Sequence, residues 1–462
     1  MASAKDRVIE IPHHEELEPA LWWPECCIYK VPEKLWKGNP EAYTPQLISI
    51  GPLHHNRRKL KPMEKQKELY NRYFQTRLCN THQEAFTKYK NFIESKENEI
   101  RRCYSKKCQH FSKQKFVEMI LLDSVFIMEL FLRNQIILDE KDHLNQTEQE
   151  KDLLNQIKND LLFSKLWIQG DIIGDLLLLE NQLPMFVLVE LYNNAVPDFD
   201  KKMHVSFHKL ACNYFETRNQ SFHRDHISEK RLQMYEKSKH FVDLIRYRCL
   251  PYNQDYFKQG ETNPGDLKTA RKLNEAGITF EKIHHGPLLA VEFQKKKFLN
   301  MCPCLSTIPR MNIFKSRLRI PQLIVDDGTE NLLRNLVALE QCHYPDEAYV
   351  CNYVVLMDYL IDTKEDVDFL VEMQVIVKKV GSNKEVANMF NSLCKEVHIS
   401  SSGYEEIIEK LNGHYAMPWN HNMAKLKSVY FCDLWRGSAT VVGIAVFLFS
   451  LIDIVQSLMG QK

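Results

Sequence analysis

The feature that most constrains this chain is a long apolar segment near its C-terminal end, Ala439–Met459. The stretch Val441–Phe449 contains no charged or polar side chain. As an α-helix the segment would rise roughly 31 Å, which matches the hydrocarbon thickness of a bilayer. Its apolar residues, Phe447 among them, fall on all sides of such a helix, whereas a helix that covers a soluble core has one apolar stripe. The sequence therefore predicts a membrane-spanning helix over 437–459, with the lipid bilayer as its partner.

Asp453 is the one residue that disagrees with the rest of this segment. A carboxylate at the centre of a bilayer costs about 2.5–3.5 kcal/mol on insertion scales. Asp453 lies in the last third of the segment, where the far interface is close. Two interpretations stay open: a carboxylate tolerated near the membrane edge, or a contact with a partner helix.

The charges around the segment predict its direction. Lys425, Lys427 and Arg436 precede it and Lys462 follows it. Because positive residues flank the cytosolic side of membrane helices, we expect a tail-anchored, single-pass protein with a cytosolic body, at the plasma membrane or an endomembrane. Residues 1–24 carry no apolar core of a secretory signal and are expected to form a flexible leader.

Composition bears on the compartment and on the function classes that are excluded. The 13 cysteines are scattered and cannot all pair, which is typical of a reduced compartment. A body facing the lumen is the alternative, and the sequons at Asn145 and Asn219 would then matter. The net charge of +1 argues against a nucleic-acid partner. With 15 glycines, phosphate-binding loops are not expected, and no known catalytic motif is present.

Helical spacing of apolar residues dominates the body, and the clearest examples are Ser112–Leu132 and Asp171–Leu191. Pro184 should kink the second of these or start a new helix at Met185. Short extended segments occur in 27–52 and in 277–326, and we expect them to pair. The prediction is a mainly α fold with a small β-sheet (α+β), in which 25–432 form a single large domain, and a single C-terminal transmembrane helix.

Histidine and cysteine pairs are the first candidates for a metal site. The pairs His13-His14, His54-His55 and His284-His285 are adjacent in sequence, so their side chains would point to opposite faces of a strand. Structural zinc sites use two short-spaced ligand pairs, whereas Cys103, Cys108 and His110 lie far from Cys302 and Cys304. No metal and no cofactor are therefore expected.

Carboxylates inside apolar helical patterns are the second candidates: Asp123, Glu129, Glu180, Glu340 and Asp358. If they were buried together in a cleft, they would form a general acid–base site, and the protein would be a membrane-associated enzyme of unrecognised type. Structural pairing with basic groups is the more common role of such residues. We favour pairing, and hence expect no catalytic residues, but the enzyme alternative stays open.

Several longer strings carry a family resemblance. They are Pro24-Glu-Cys-Cys-Ile-Tyr-Lys-Val-Pro32, Asn39-Pro-Glu-Ala-Tyr-Thr-Pro-Gln-Leu-Ile-Ser-Ile-Gly-Pro-Leu-His-His55, Phe116-Val-Glu-Met-Ile-Leu-Leu-Asp123, Leu176-Leu-Leu-Leu-Glu-Asn-Gln-Leu-Pro184, Glu275-Ala-Gly-Ile-Thr-Phe280 and Asn335-Leu-Val-Ala-Leu-Glu-Gln-Cys-His-Tyr-Pro345. In this order they closely resemble the plant family called domain of unknown function 247. The resemblance implies a membrane helix at the C-terminal end and a role in recognition, and it supplies no accepted catalytic residues.

The polar members of these strings are the candidate site residues: Glu180, Asn181, Gln182, Glu340, Gln341 and His343. Three polar residues in succession before a proline in an apolar stretch would each need a partner. We therefore predict a structural polar network that ties the two motif regions together. The predicted function is membrane-anchored recognition or signalling through contacts with an unknown protein partner.

Overall fold

A computed structural model describes residues 24–79, 83–106, 108–139, 148–195, 205–218, 228–251, 267–284, 286–295, 316–399, 403–430 and 434–459. The chain divides into two compact units, Met1–Cys249 with Gly328–Ala348 and Leu250–Asp327 with Tyr349–Lys462. The predicted leader up to Trp23, the pair His13-His14, both sequons and Cys302 and Cys304 lie outside the described residues.

The first unit is built from helices. They are α1 (Glu33–Gly38), α2 (Lys61–Cys79), α3 (Gln83–Arg102), α4 (Lys113–Asp139), α5 (Glu148–Lys158), α6 (Leu161–Ser164), α7 (Leu166–Leu176), α8 (Met185–Ala195), α9 (Phe207–Arg218), α10 (Glu229–Tyr235), α11 (Phe241–Cys249) and, later in the chain, α13 (Thr329–His343). Short 3-10 turns occupy Pro40–Tyr43, Arg58–Leu60 and Pro345–Glu347.

Helix α4 forms the centre of this unit and packs against α2, α3, α8 and α9. Phe116, Ile120, Phe126 and Leu130 recur at helical spacing along it and are all buried. Most of its other side chains from Val117 onward are also buried, so the helix is apolar around most of its circumference because neighbours cover every side.

The predicted helix Asp171–Leu191 is interrupted. Helix α7 ends at Leu176 and α8 begins at Met185, so Pro184 precedes the first residue of a new helix, one of the two predicted outcomes. The intervening residues, which include Glu180, Asn181 and Gln182, form a buried connection and are not helical. The expectation that these three polar residues lie within an apolar helix is therefore wrong.

The second unit combines helices with two small sheets. Its helices are α12 (Ala270–Glu275), α14 (Tyr349–Leu360), α15 (Lys364–Glu372), α16 (Asn383–Leu393), α17 (Glu405–Tyr415), α18 (Pro418–Tyr430) and α19 (Leu434–Met459). Its strands are β1 (Thr279–Ile283), β2 (Glu292–Gln294), β3 (Arg317–Pro321), β4 (Leu323–Val325) and β5 (Ile376–Lys378).

In the three-stranded sheet β3 lies between β1, to which it is parallel, and β2, to which it is antiparallel. The register places Phe280 opposite Leu318 and Phe293 opposite the same residue. Strand β4 pairs in parallel with β5 in a separate two-stranded sheet. The prediction of a mainly α fold with a small β-sheet is confirmed, and its strands come from 277–326 as expected, with β5 added.

The predicted pairing of 27–52 with 277–326 is wrong. Residues 27–52 all lie in the described part of the chain, and neither sheet takes a strand from them. Their one β-type interaction is an isolated bridge from Ile28 to Tyr104. Prolines at 32, 45 and 52 interrupt any ladder because each lacks a backbone N–H.

Helix α19 matches the predicted membrane segment. Within the described residues, Ser438–Gln456 is the one helix stretch long and apolar enough to cross a membrane, and none of it is buried in the protein. Ala439, Val441, Phe447 and Asp453 are all exposed, while the side chain of Met459 lies outside the described set.

Candidate functional site

The centre of the first unit is a set of buried polar side chains that bind the extended segment 46–51. Asn181 is fully buried in the connection between α7 and α8. Its Oδ1 accepts from the N–H of Ile50 at 2.7 Å, and its Nδ2 donates to the carbonyls of Ile48 at 3.0 Å and Asp175 at 2.9 Å. The amide thus replaces a neighbouring strand for the segment.

Two carboxylates continue this pattern along the segment. Asp175 on α7 accepts from the N–H groups of Gln46, Leu47 and Ile48 at 2.7–2.8 Å. Asp123 on α4 accepts from the N–H of Gly51 at 2.8 Å. Backbone N–H groups that would pair in a sheet are therefore satisfied by side chains from two helices.

Both carboxylates are buried away from solvent. Burial raises the pKa of Asp175 to about 6 and that of Asp123 to about 6, against the effect of their donors. Lys67 donates to Asp123 at 2.6 Å and to the carbonyl of Ser49 at 2.5 Å, and it is itself fully buried. Lys67 supplies the counter-charge without which the ionised form of Asp123 would be very costly.

Gln182 and Glu180 extend the network away from the segment 46–51. Gln182 accepts from the N–H of Phe241 at 2.9 Å and donates to the carbonyls of Leu176, the last residue of α7, and of Leu178 in the α7–α8 connection. Glu180 accepts from the N–H of Val31 at 2.9 Å, and its second oxygen lies 3.4 Å from Nε2 of His54. Burial lowers the pKa of His54 to about 3 and raises the pKa of Glu180, so His54 is neutral beside it.

Glu340 and His343 on α13 form a second polar cluster. Glu340 and Arg246 are fully buried and form an ion pair at 2.8 Å, with the guanidinium 3.9 Å from the ring centre of Tyr344. His343 shares a hydrogen bond of 2.9 Å with the hydroxyl of Tyr29. Gln341 is half-buried on the same helix.

The two clusters meet at the segment 27–31. Glu180 binds Val31 from one cluster and His343 binds Tyr29 from the other. Asn335 on α13 adds a direct link, because its side chain accepts from the N–H of Leu179 and donates to the carbonyl of Ala42, both at 2.8 Å. Asp175, Lys67 and Asn335 also belong to the network, although they were not among the candidate residues predicted from the sequence. Asp175 and Asn335 could have been predicted as members, because each is a polar residue within an otherwise apolar stretch of sequence.

The carboxylates proposed for an enzyme do not converge. Glu129 forms an ion pair with Arg133 at 2.7 Å, and Asp123, Glu180 and Glu340 have the separate partners given above. Asp358 belongs to the other unit. The described residues contain no group of three or more histidines, cysteines or carboxylates that could hold a metal.

A pocket of about 790 Å³ opens on the first unit, next to the segment 24–27. Its apolar wall comes from Met185, Phe186, Val189 and Phe207, and none of the five carboxylates considered above lines it. Its polar wall comprises Glu25, Glu99, Asn193, Ser206, His208, Glu236, Lys237, Ser238 and Lys239. An apolar wall beside charges of both signs suits the binding of an amphipathic ligand.

Two cysteines, Cys27 and Cys103, also line this pocket. A hydrogen bond with the Cys103 thiol and burial raise the pKa of Cys27 well above its usual value. A protonated thiol is a poor nucleophile, so this pair does not support covalent catalysis.

Known proteins resemble the chain through both units and into α19. The model of the family DUF247, a plant protein of unknown function, matches residues 28–449. UPF0481 protein At3g47200 of Arabidopsis thaliana is 27% identical over 441 residues, which cover 93% of this chain and 85% of that protein. Putative UPF0481 protein At3g02645 of the same plant is 22% identical over 514 residues, covering 92% and 89%. No solved structure matches significantly.

Proposed function

The chain belongs to the DUF247 family of plant proteins of unknown function, and we propose that it is a membrane-anchored recognition protein. In this proposal α19 crosses the bilayer, and the first unit binds a segment of a partner protein in the pocket beside 24–27. The observation that carries the proposed anchor is that none of the apolar segment Ser438–Gln456 of α19 is buried in the protein.

The energetics of α19 support insertion. Eleven large apolar side chains between Val441 and Val455 are exposed by 41–69%. At about −0.3 to −0.6 kcal/mol each on an insertion scale, they favour the membrane by roughly 3–7 kcal/mol. Asp453 would oppose this by about 2.5–3.5 kcal/mol at the bilayer centre and by less near the end of the helix. At the middle of both ranges these residues favour the membrane by about 2 kcal/mol even with Asp453 ionised.

The proposed direction places the body in the cytosol. Lys425, Lys427 and Arg436 precede the spanning segment, and basic residues flank the cytosolic side of membrane helices. The plasma membrane and the endomembranes both fit this direction.

Recognition through protein contacts is supported by what the polar groups of the first unit do. The motif residues Asn181, Gln182 and Glu340 are fully buried and bind the protein's own backbone or an internal arginine. The pocket offers an apolar wall with Phe186 and Val189 next to Glu236 and Lys237. This combination fits a peptide segment that has an apolar anchor and charged neighbours.

Membrane insertion and topology are tested with full-length protein made in the presence of microsomes. We expect resistance to alkaline extraction and complete digestion of the body by added protease. Val446→Lys with Phe447→Lys should release the protein into the alkaline supernatant, while Lys425→Gln with Arg436→Gln should leave it inserted. A body protected from protease would contradict the cytosolic placement, and extraction of the unchanged protein would contradict the anchor.

Recognition is tested with a photo-crosslinking amino acid at Val189 in the pocket. We expect a crosslink to a discrete plant membrane or cytosolic protein, and we expect Phe186→Glu to abolish it. The same crosslinker at the exposed Glu118 on α4 is the control. Equal crosslinking from both positions would contradict a binding role of the pocket.

A further inference from the structure

Two large apolar side chains stand exposed side by side at the start of α7. Leu166 is 83% exposed and Trp167 is 66% exposed. The other face of α7 is fully occupied, because Ile168, Ile172 and Leu176 are buried in the first unit. Leu166 and Trp167 therefore do not contribute to the core. Adjacent exposed apolar side chains of this size mark an interaction surface.

A cluster of cations lies next to this pair. Arg57, Arg58, Lys59 and Lys61 are exposed around the 3-10 turn Arg58–Leu60, and Lys165 directly precedes Leu166. Four positive side chains within five residues give this surface a strong local charge although the chain as a whole is nearly neutral.

The structure ties this turn to α7. Lys59 donates to the side chain of Gln46 at 2.5 Å, and the backbone N–H of Gln46 donates to Asp175 on α7 at 2.8 Å. Burial raises the pKa of Asp171 on the same helix, and the neighbouring Lys59 opposes that shift. Trp167 lies one helical turn before Asp171, at a side-chain spacing of about 6 Å. Lys59 therefore lies near the face of α7 that carries Asp171 and, one turn earlier, Trp167, and the other cations of the turn flank Lys59 in the chain.

We propose that the patch formed by Leu166, Trp167, Lys165 and Arg57–Lys61 docks on the headgroup region of an anionic bilayer. Trp and Leu would enter the interface, where aromatic rings are enriched in membrane proteins, and the cations would contact lipid phosphates and carboxylates. The inference rests on the proposed function, because α19 holds the body at a high effective concentration of bilayer surface.

Charge complementarity favours a membrane as the occupant. The cytoplasmic leaflet carries anionic lipids, and each basic residue near such a surface strengthens binding about fivefold. Docking would add a second, salt-sensitive contact to the anchor and would hold one face of the first unit against the membrane. A protein partner for the same patch is the alternative occupant, and the experiment below separates the two.

The test uses full-length protein reconstituted in phosphatidylcholine vesicles with and without phosphatidylserine, with brominated lipids as fluorescence quenchers. The contribution of Trp167 is the difference between the unchanged protein and Trp167→Phe, because the chain has 6 tryptophans. We expect Trp167 to be quenched in the anionic vesicles, and we expect at least a fivefold weaker effect in neutral vesicles or at high salt.

Two charge-reversal variants provide the matched comparison. Arg58→Glu with Lys59→Glu should abolish the quenching of Trp167, whereas Lys113→Glu with Lys115→Glu, the same charge change at exposed sites on α4, should preserve it. Equal loss in both variants, or an unquenched Trp167 in anionic vesicles, would overturn the proposal and leave the patch to a protein partner. Alkaline extraction of the same vesicles reports the anchor separately, so a failed anchor and a failed docking surface give different results.

Discussion

Replacement of Asn181 by alanine should strongly destabilise the first unit. The change removes one acceptor and two donors and leaves the N–H of Ile50 and the carbonyls of Ile48 and Asp175 without these partners. Asn181 is fully buried, so water cannot replace them directly. A buried polar group that loses its partner costs about 1–3 kcal/mol, and partial relaxation brings three such groups to a total of about 3–6 kcal/mol.

Hydrogen exchange measured by mass spectrometry on detergent-solubilised full-length protein is the suitable assay. The peptide that covers 46–51 reports the segment held by Asn181, independently of unfolding in the second unit. We expect its amides to exchange more than a hundredfold faster in Asn181→Ala, since 3 kcal/mol corresponds to a factor of about 150. The urea midpoint of the first unit should fall as well.

Asn155→Ala is the matched control because Asn155 is exposed on α5. Its effect should stay within about 0.5 kcal/mol. If Asn181→Ala exchanged no faster than Asn155→Ala, the side chain would not be holding the segment 46–51. The assignment of the motif to a structural role would then fail.

Three further changes probe the same unit. Glu180→Ala should lower the free energy of unfolding by about 1–3 kcal/mol because the N–H of Val31 loses its acceptor. Glu180→Gln should recover part of this loss. Unchanged thermal stability of Glu180→Ala would refute a structural role of the hydrogen bond between Glu180 and Val31. Gly51→Ala should cost more than about 2 kcal/mol in urea unfolding, since φ is +70° and a Cβ would lie 2.7 Å from the carbonyl oxygen of Gln182. Its control is Gly413→Ala on α17 of the second unit, where no neighbouring atom lies within 4 Å and the change should be neutral or stabilising. Burial lowers the pKa of His240 to about 3, so its neutral form contributes stability that is complete above its unfolded pKa of about 6.5 and is lost as the pH falls below that value. His240→Gln should therefore lose about 2 kcal/mol less stability than the unchanged protein between about pH 7 and pH 5, and parallel pH profiles of melting would contradict this.

Helix α4 shows how much of the fold follows from local sequence. Its apolar residues recur at helical spacing, and the observed Lys113–Asp139 contains the predicted Ser112–Leu132 except for its first residue. The ends of the helices follow less directly from the sequence than their interiors do. Asp327 and Glu330 have the spacing of a capping box, but α13 begins after Gly328 without a side-chain cap, and Glu330 binds Asn39 and Arg334. Glu330 thus binds a guanidinium one turn along its own helix and the distant amide of Asn39, and it does not cap the helix.

The segment 27–52 shows what local patterns miss. Its alternating apolar residues predict a strand, and its extended backbone does need partners for its N–H and carbonyl groups. Those partners are Asp123, Asp175 and Asn181, which no local rule connects to the segment. The pocket could not be predicted from the sequence either, because its walls come from segments far apart in the chain.

The apolar helix near the C-terminal end and the helical character of the body follow from side-chain chemistry repeated at the period of a helix, which acts within one or two turns of chain. The polar motif residues came from the family resemblance, and the expected helical placement of Glu180, Asn181 and Gln182 was wrong. The partners of the polar motif, and the approach of Lys59 to the helix that carries Leu166 and Trp167, depend on tertiary contacts that no local pattern contains. Such pairings depend on which distant groups are brought into one dry or one exposed region, and burial then fixes the charge and hydrogen bonds of each group.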